Sequence, residues 1–166
     1  KFYNTLSKKK EEFNEINKGK IKIYTCGPTV YNYAHIGNWR SFVFSDILRR
    51  YLKYKGYDVM HVMNLTDVDD KTIRDSQKQS MSLKEFTEKY SKIFFEDMDI
   101  LNIERVEEYP KATESIKEML DITKKLIEKG IAYKSEDGSV YYSVTKFKDY
   151  GKLAGLKLGN LKAGAR

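Results

Sequence analysis

The stretch KIKIYTCGPTVYNYAHIGN, Lys20 to Asn38, joins an alternating segment, a long loop and the start of a helix. In its first part, Lys20–Cys26, apolar residues alternate with polar ones and place Ile21 and Ile23 on one face, which predicts a β-strand. The strand ends in Cys26, the only cysteine of the chain, and the loop that follows contains two glycines and one of the two histidines. Chemically useful residues are therefore concentrated directly after a strand.

The chain beyond this loop predicts a helix and a second strand. A helix is expected from Asn38 to Lys55, with Gly56 as its C-terminal cap. The segment Tyr57–Asn64 is nearly continuously apolar, as in a strand buried on both faces. Strand, helix and strand in this order predict a βαβ unit, and hence an α/β fold with a parallel sheet. The apolar positions expected to face the core from the helix are Phe44, Ile47, Leu48, Tyr51 and Leu52.

The second half of the chain predicts more helices and a hairpin. A short helix is expected over Val68–Ser76, and a capping box at Ser82 and Glu85 opens a longer helix that extends to about Leu101. Another helix is expected from about Thr113 to Gly130, and Asp137-Gly138 separates two β-prone runs. We place a domain boundary near residue 112. The predicted inward residues of the two longer helices are Leu83, Phe86, Tyr90, Phe94, Met98 and Leu101, and Ile116, Met119, Leu120, Leu126 and Ile127.

Composition restricts the class of protein. A formal net charge of +7 is compatible with a polyanionic partner, although Arg49, Arg50, Lys53 and Lys55 are more typical of a solvated helix face. A single cysteine cannot form an internal disulfide, and no apolar run is long enough to span a bilayer. These features favour a cytoplasmic protein without membrane contact.

The two predicted strands bring their following loops together. In open parallel sheets, ligands bind beyond the carboxyl ends of the strands, where the next helix presents unpaired N–H groups. His35 and Asn38 flank the predicted helix start, and Gly27 and Gly37 would allow the backbone to approach a phosphate closely. The loop is neither a Walker A motif nor a G-x-G-x-x-G dinucleotide fingerprint. The sequence thus predicts a different kind of nucleotide-binding loop.

At these residues the chain resembles a known family. AHIGN resembles the HIGH signature of class I aminoacyl-tRNA synthetases, and the lead-in CGPTVYNY resembles the cysteinyl-tRNA synthetase family within that class. The segments FYNTLSKKKEEF, NLTDVDDK, LNIERVEEYPKATE and LKAGAR are similar to the same family, in the same order. The resemblance covers nearly the whole chain. The HIGH-type motif comprises Pro28, Thr29, Val30, Tyr31, Asn32, Tyr33, Ala34, His35, Ile36, Gly37 and Asn38.

The resemblance implies a fold and a reaction. Residues 1–112 would form the first half of a Rossmann-like catalytic domain, and residues 113–166 the start of an inserted connective α+β region. The rest of the catalytic domain, its KMSKS loop and an anticodon-binding domain are expected beyond this chain, which would be inactive alone. The implied reaction activates L-cysteine with ATP and Mg²⁺, releases pyrophosphate and transfers the cysteinyl group to tRNA(Cys).

The resemblance also implies roles for individual residues. His35 and Asn38 would be catalytic, and they would bind ATP together with Gly27, Thr29 and Gly37. The family signature ends in His, whereas this chain has Asn38, which can donate a hydrogen bond but carries no positive charge. The implied contacts of the substrate cysteine are Cys26, Gly27 and Thr66.

Cys26 is also the implied zinc ligand. A zinc ion would discriminate a cysteine thiolate from a serine hydroxyl far better than the shape of a cavity could. One cysteine does not make a zinc site, so the other ligands are expected outside this chain. By itself the chain should bind zinc weakly or not at all.

Other interpretations remain open at this point. A ligase that joins cysteine to an amino sugar would share the same adenylating site. A basic α/β module that binds a nucleotide or RNA without catalysis would share the same loop. His61, in the second predicted strand, is interpreted as a packed or hydrogen-bonded histidine without a functional role.

Overall fold

The structure, a computed structural model, describes residues 1–156. The closing LKAGAR segment, one of the motifs that carry the resemblance, lies outside the described residues. The helices and strands are, in chain order, β1 (Phe2–Asn4), β2 (Lys9–Glu11), β3 (Lys20–Thr25), α1 (Ile36–Tyr54), β4 (Asp58–Met63), α2 (Asp70–Lys78), α3 (Leu83–Ile100), α4 (Ile116–Glu128), β5 (Ala132–Lys134) and β6 (Val140–Tyr142).

A pair of parallel strands forms the centre of the α/β region. β3 pairs with β4 in parallel, in a register that runs from Lys20 opposite Asp58 to Thr25 opposite Met63. The predicted strand–helix–strand unit with parallel pairing is therefore confirmed. The segment after α3 adds two isolated parallel bridges, Val62 with Glu108 and Leu65 with Lys111. Because β3 and β4 are the two strands of this sheet in the described residues, the structure supports the Rossmann-like expectation only in part.

β4 is buried on one face rather than on both. Val59, His61 and Met63 are buried, whereas Asp58 and Met60 are exposed. The expectation of a strand covered on both sides is thus wrong within the described part of the chain. Its buried side faces the core, because alternate residues of a strand point to opposite faces.

The main core lies between α1, α3 and the strand ends. Phe86 and Met98 of α3 are 0% exposed, and Phe94 stacks on Trp39 with ring centroids 5.3 Å apart. The predicted inward stripe of α3 is confirmed from Phe86 to Met98, while Leu101 lies beyond the helix and is 45% exposed. The α3 helix starts at the predicted capping box, since the Ser82 and Glu85 side chains bond each other's backbone N–H.

α1 faces the core with a different stripe from the predicted one. Its buried residues are Trp39, Phe42, Arg49 and Leu52. Phe44, Ile47 and Tyr51, which were expected to be inward, are more than half exposed, so that part of the prediction is wrong. An apolar pattern counted by helical spacing does not fix which side of the helix meets the sheet when both sides carry apolar residues.

Arg49 replaces an apolar residue in that buried stripe. It is 4% exposed, and its guanidinium is paired with Glu104 and Glu107. The interpretation of Arg49 as part of a solvated basic face is therefore wrong. Such a buried charge needs its partners, because removal of one member leaves the other uncompensated.

α2 begins at Asp70, two residues later than predicted, because Asp69 is its N-cap. The Asp69 side chain accepts from the Lys71 N–H, and Thr72 completes the capping box. In the loop before Asp69, the Thr66 backbone N–H donates to the Pro28 carbonyl and the Thr66 carbonyl accepts from Val30. The loops after β3 and β4 are thus joined by backbone hydrogen bonds.

The chain divides into two compact units. Residues 15–116 form one unit, and residues 1–14 and 117–156 form the other. In the latter, β1 pairs with β2 and β5 pairs with β6, both antiparallel, and Gly138 has the positive φ of a hairpin turn. α4 has no buried residue, so its predicted inward face is not covered within the described chain. The boundary near residue 112 stays a prediction.

None of the helices in residues 1–156 has the length and apolar character to cross a bilayer.

Two phenylalanines provide a test of the core. Replacing Phe86 with Ala should lower the free energy of unfolding by about 3–5 kcal/mol, because a fully buried ring leaves a cavity. Phe44→Ala is the matched control, since Phe44 is 64% exposed and its loss should change stability by at most about 0.5 kcal/mol. Urea unfolding followed by circular dichroism measures both. Equal losses in the two variants would contradict this placement of the core.

Candidate functional site

An open cleft of about 810 Å³ lies where β3 ends and α1 begins. Of the predicted site residues, it brings together Cys26, Gly27, Thr29 and Asn38, with Pro28 from the same motif. His35, Gly37 and Thr66 do not line it. The other lining residues are Thr25, Arg40, Ser41, Phe42, Phe44 and Ser45.

Gly27 is held against the segment that follows β4. Its N–H donates to the Asn64 side-chain oxygen at 3.0 Å, and the Tyr24 hydroxyl donates to the same oxygen at 3.0 Å. A Cβ added at Gly27 would lie 1.9 Å from the backbone oxygen of Asn64, so a glycine is required by close backbone approach. Asn64 was not among the site residues predicted from the sequence. Its position directly after a strand was the signal that could have identified it.

Thr66 is linked to the same group through Asn64. The Asn64 side-chain amide donates to the Thr66 hydroxyl at 3.1 Å. Thr66 also forms a parallel bridge with Thr29, which is one of the cleft residues. The structure therefore links Thr66 to Gly27 through the Asn64 side chain and pairs it with Thr29 in the bridge, although Thr66 itself is not at the cleft surface.

His35 and Asn38 form the N-terminal cap of α1. His35 Nδ1 accepts the N–H of Gly37 at 3.2 Å, and Asn38 Oδ1 accepts the N–H of His35 at 3.0 Å. In the neutral ring the proton then lies on Nε2, because Nδ1 is the acceptor. His35 is exposed, and the Asn38 amide nitrogen has no hydrogen-bond partner among the described residues. Two N–H groups at the helix start are thus available to an anion, while the N–H of Gly37 is already bonded.

The remaining motif residues shape the loop. Val30 is 1% exposed and belongs to the core, whereas Ile36 is 75% exposed. Lys71 lies over the Tyr31 ring at 5.0 Å, and Tyr33 contacts Tyr90 edge to face. Asn32 is exposed and Ala34 is half-buried against the core.

Cys26 is exposed, and its thiol lies 3.6 Å from the Gly27 carbonyl oxygen. A zinc site needs three or four ligands, and no group of three His, Cys, Asp or Glu side chains suited to a metal occurs within residues 1–156. The described residues thus do not fit a complete zinc site.

Comparison with known proteins agrees with this arrangement. Residues 12–166 match the family model for the tRNA synthetases class I (C) catalytic domain. The chain therefore belongs to this class I synthetase family. The α/β unit and the cleft lie within the matched part of the chain.

The relatives share one name. The chain is 53% identical over 163 residues to the Cysteine–tRNA ligase of Methanosarcina mazei, with 98% of this chain and 34% of the relative covered. It is 53% identical over 165 residues to that of Chlamydia pneumoniae, with 99% and 35% covered. It is 48% identical over 166 residues to the Cysteine–tRNA ligase of Pyrococcus horikoshii, with 100% of this chain and 35% of the relative covered. The chain spans about a third of the length of the curated relatives it matches.

Two glycines of the motif should respond oppositely to substitution. Gly27→Ala should cost about 1–3 kcal/mol of stability, because the new methyl group overlaps the Asn64 backbone. Gly37→Ala is the matched control. Its Cβ would come no closer than 3.5 Å to another group, and in a helix alanine is favoured over glycine by up to about 1 kcal/mol. Chemical denaturation compares the variants, and an unchanged midpoint for Gly27→Ala would refute the close approach.

Proposed function

We propose that this chain supplies the first part of the active site of a cysteine–tRNA ligase. The observation that carries the proposal is the cleft in which Cys26, Gly27 and Thr29 at the end of β3 meet Asn38 at the start of α1. The names of the relatives support the same activity. Because the relatives are about three times as long, the activity belongs to the full-length protein, and this chain alone would be inactive.

The proposed reaction has two steps. The carboxylate of L-cysteine attacks the α-phosphorus of ATP, supplied with Mg²⁺, to form cysteinyl-adenylate as the bond to pyrophosphate breaks. The terminal ribose hydroxyl of tRNA(Cys) then attacks the activated carbonyl and releases AMP. Neither step needs a protein nucleophile, so the residues act by position and by stabilising charge.

The helix start is the proposed phosphate-binding element. His35 Nε2 and the Asn38 amide are the N–H donors that the cap leaves available. Both lie at the N-terminus of α1, where the helix dipole favours an anion. Gly27 keeps the surrounding backbone close, Gly37 would leave room for a phosphate to approach the helix start, and Thr29 contributes a hydroxyl at the cleft.

Residues 1–112 would belong to a Rossmann-like catalytic domain, and residues 113–166 to a connective insertion. Cys26, Gly27 and Thr66 would bind the substrate cysteine. Cys26 would be one ligand of a zinc ion whose other ligands lie outside the described residues.

The activation step can be measured directly. The full-length protein should catalyse exchange of labelled pyrophosphate into ATP when cysteine is present and not when serine replaces it. Exchange with neither amino acid would overturn the proposal and favour a module that binds nucleotide without catalysis. Exchange without transfer to tRNA(Cys) would favour an amino-sugar acceptor instead.

His35→Ala should lower the rate of exchange by about a hundredfold or more, the usual loss for a donor that stabilises developing charge. His35→Gln should recover part of it, since its amide can donate from a similar position. Lys92→Gln, a change of an exposed charge on α3, is the control and should keep the wild-type rate. Equal rates for His35→Ala and the control would exclude His35 from the reaction.

Cys26→Ser should affect the use of cysteine and leave the binding of ATP unchanged. We expect this variant to bind ATP normally and to lose cysteine-dependent exchange, because a hydroxyl is a far poorer ligand for a soft metal than a thiolate. ATP binding is measured by calorimetry and exchange by incorporation of label. Normal exchange by the variant would refute a role for the Cys26 thiol in selecting cysteine.

A further inference from the structure

His61 lies beneath the end of β3, although the sequence predicted no function for it. Its side chain is 1% exposed, and its Nε2 is 2.8 Å from the hydroxyl oxygen of Thr25. In the parallel register His61 is opposite Ile23, so Thr25 is the next residue along on the same face. Thr25 directly precedes Cys26 and lines the cleft. The buried His61 side chain therefore contacts Thr25, the residue directly before Cys26.

Cys26 is flanked by two side-chain contacts from the β4 side. Thr25 is bonded to His61, and the N–H of Gly27 is bonded to Asn64. The Cys26 thiol itself has only the weak contact with the Gly27 carbonyl among the described residues. The two neighbours of Cys26 are thus both bonded to the chain of β4 and the residue after it.

The surroundings of His61 favour its neutral form. Burial lowers the pKa of His61 below its usual 6.5, and the positive charge of Arg49 lowers it further. Glu107 and Asp46 oppose this with smaller effects. Glu107 is also directed elsewhere, since it accepts the backbone N–H of His61 at 2.7 Å and pairs with Arg49.

Two carboxylates line the small cavity shared by His61 and Arg49. Asp46 pairs with Arg50 and Glu104 pairs with Arg49, while the other described residues around this cavity are apolar or uncharged. Met98 of α3 also lines this cavity. The imidazole therefore lies between an ion cluster and the hydroxyl of Thr25.

We propose that His61 is a positioning residue, which holds Thr25 and thereby orients Cys26 at the cleft. The contact works with either direction of donation, since the Thr25 hydroxyl can accept from Nε2–H or donate to it. That this orientation serves the selection of cysteine rests on the proposed function. The orientation itself does not, so the two can be tested separately.

The single cysteine of the chain makes its orientation measurable. Cys26 is the one thiol of this 166-residue chain, so iodoacetamide modifies a single cysteine in it. Thr25→Val removes the hydroxyl at nearly constant volume, and His61→Phe removes the nitrogen. Each should change the alkylation rate at fixed pH by about fivefold, the factor for a lost hydrogen bond. The double variant should show no more than either single variant, because both remove the same contact.

Two further variants test whether a change in the alkylation rate comes only from a general loss of stability. His61→Gln retains an amide at the position of Nε2 and should restore a rate near that of the wild type. Thr87→Val also removes a buried threonine hydroxyl, but this one bonds only carbonyls of its own helix, so the rate should not change. Equal rates in wild type and Thr25→Val, or additive effects of Thr25→Val and His61→Phe, would overturn the proposal.

The pH dependence of stability provides a second readout. In the unfolded chain His61 binds a proton near pH 6.5, whereas in the folded chain it binds one only at lower pH. Between these values the unfolded state holds more protons, so the free energy of unfolding falls as the pH drops below about 6.5. His61→Gln should lack this component, and His35→Gln should retain it. The same pH dependence in both variants would contradict a neutral, buried His61.

Kinetics of the full-length protein connect this inference to the proposed function. His61→Phe should raise the KM for cysteine in pyrophosphate exchange about fivefold and leave the KM for ATP unchanged, while His61→Gln should stay near wild type. A rise in the KM for ATP alone would overturn the link to Cys26. If the wild type shows no exchange, the proposed function fails, and the alkylation rates still decide whether His61 orients Cys26.

Discussion

The parallel pairing of β3 with β4 is the constraint on which the site depends. It places the ends of both strands at one edge, so that Cys26 and Gly27 leave the sheet beside Asn64. The two chain segments stay side by side after the strands end. Gly27 is hydrogen-bonded to Asn64, and Thr29 pairs with Thr66. An antiparallel partner would have put the opposite end of a strand next to the cysteine.

A buried cluster of charged residues, Arg49 with Glu104 and Glu107, packs against the buried face of the sheet. Arg49 is buried and pairs with Glu104 and Glu107, and Glu107 accepts the N–H of His61. Burial works to raise the pKa of Glu107, yet hydrogen bonds from His61 and Arg49 hold it below its ordinary value. The cluster thus keeps its charges at neutral pH and ties α1 to β4 and to the chain after α3.

Much of the fold could be predicted from periodicity and capping residues, whereas the choice of helix face could not. The alternation at Ile21 and Ile23, the box at Ser82 and the Asp137-Gly138 turn each depend on neighbouring residues, and each was confirmed. The burial of Arg49 depends on carboxylates more than fifty positions away, which no local pattern reveals. The site loop was located from its rare residues, but Asn64 and His61 act across the strand pair and required the register.

Trp39 has a practical consequence for work on this molecule. It is the only tryptophan of the chain, it lies one residue after Asn38, and its ring is stacked on Phe94 in the core. Its fluorescence therefore comes from the first turn of the helix that carries His35 and Asn38. A ligand that shifts this turn would change the emission, so nucleotide titrations can be followed without a label.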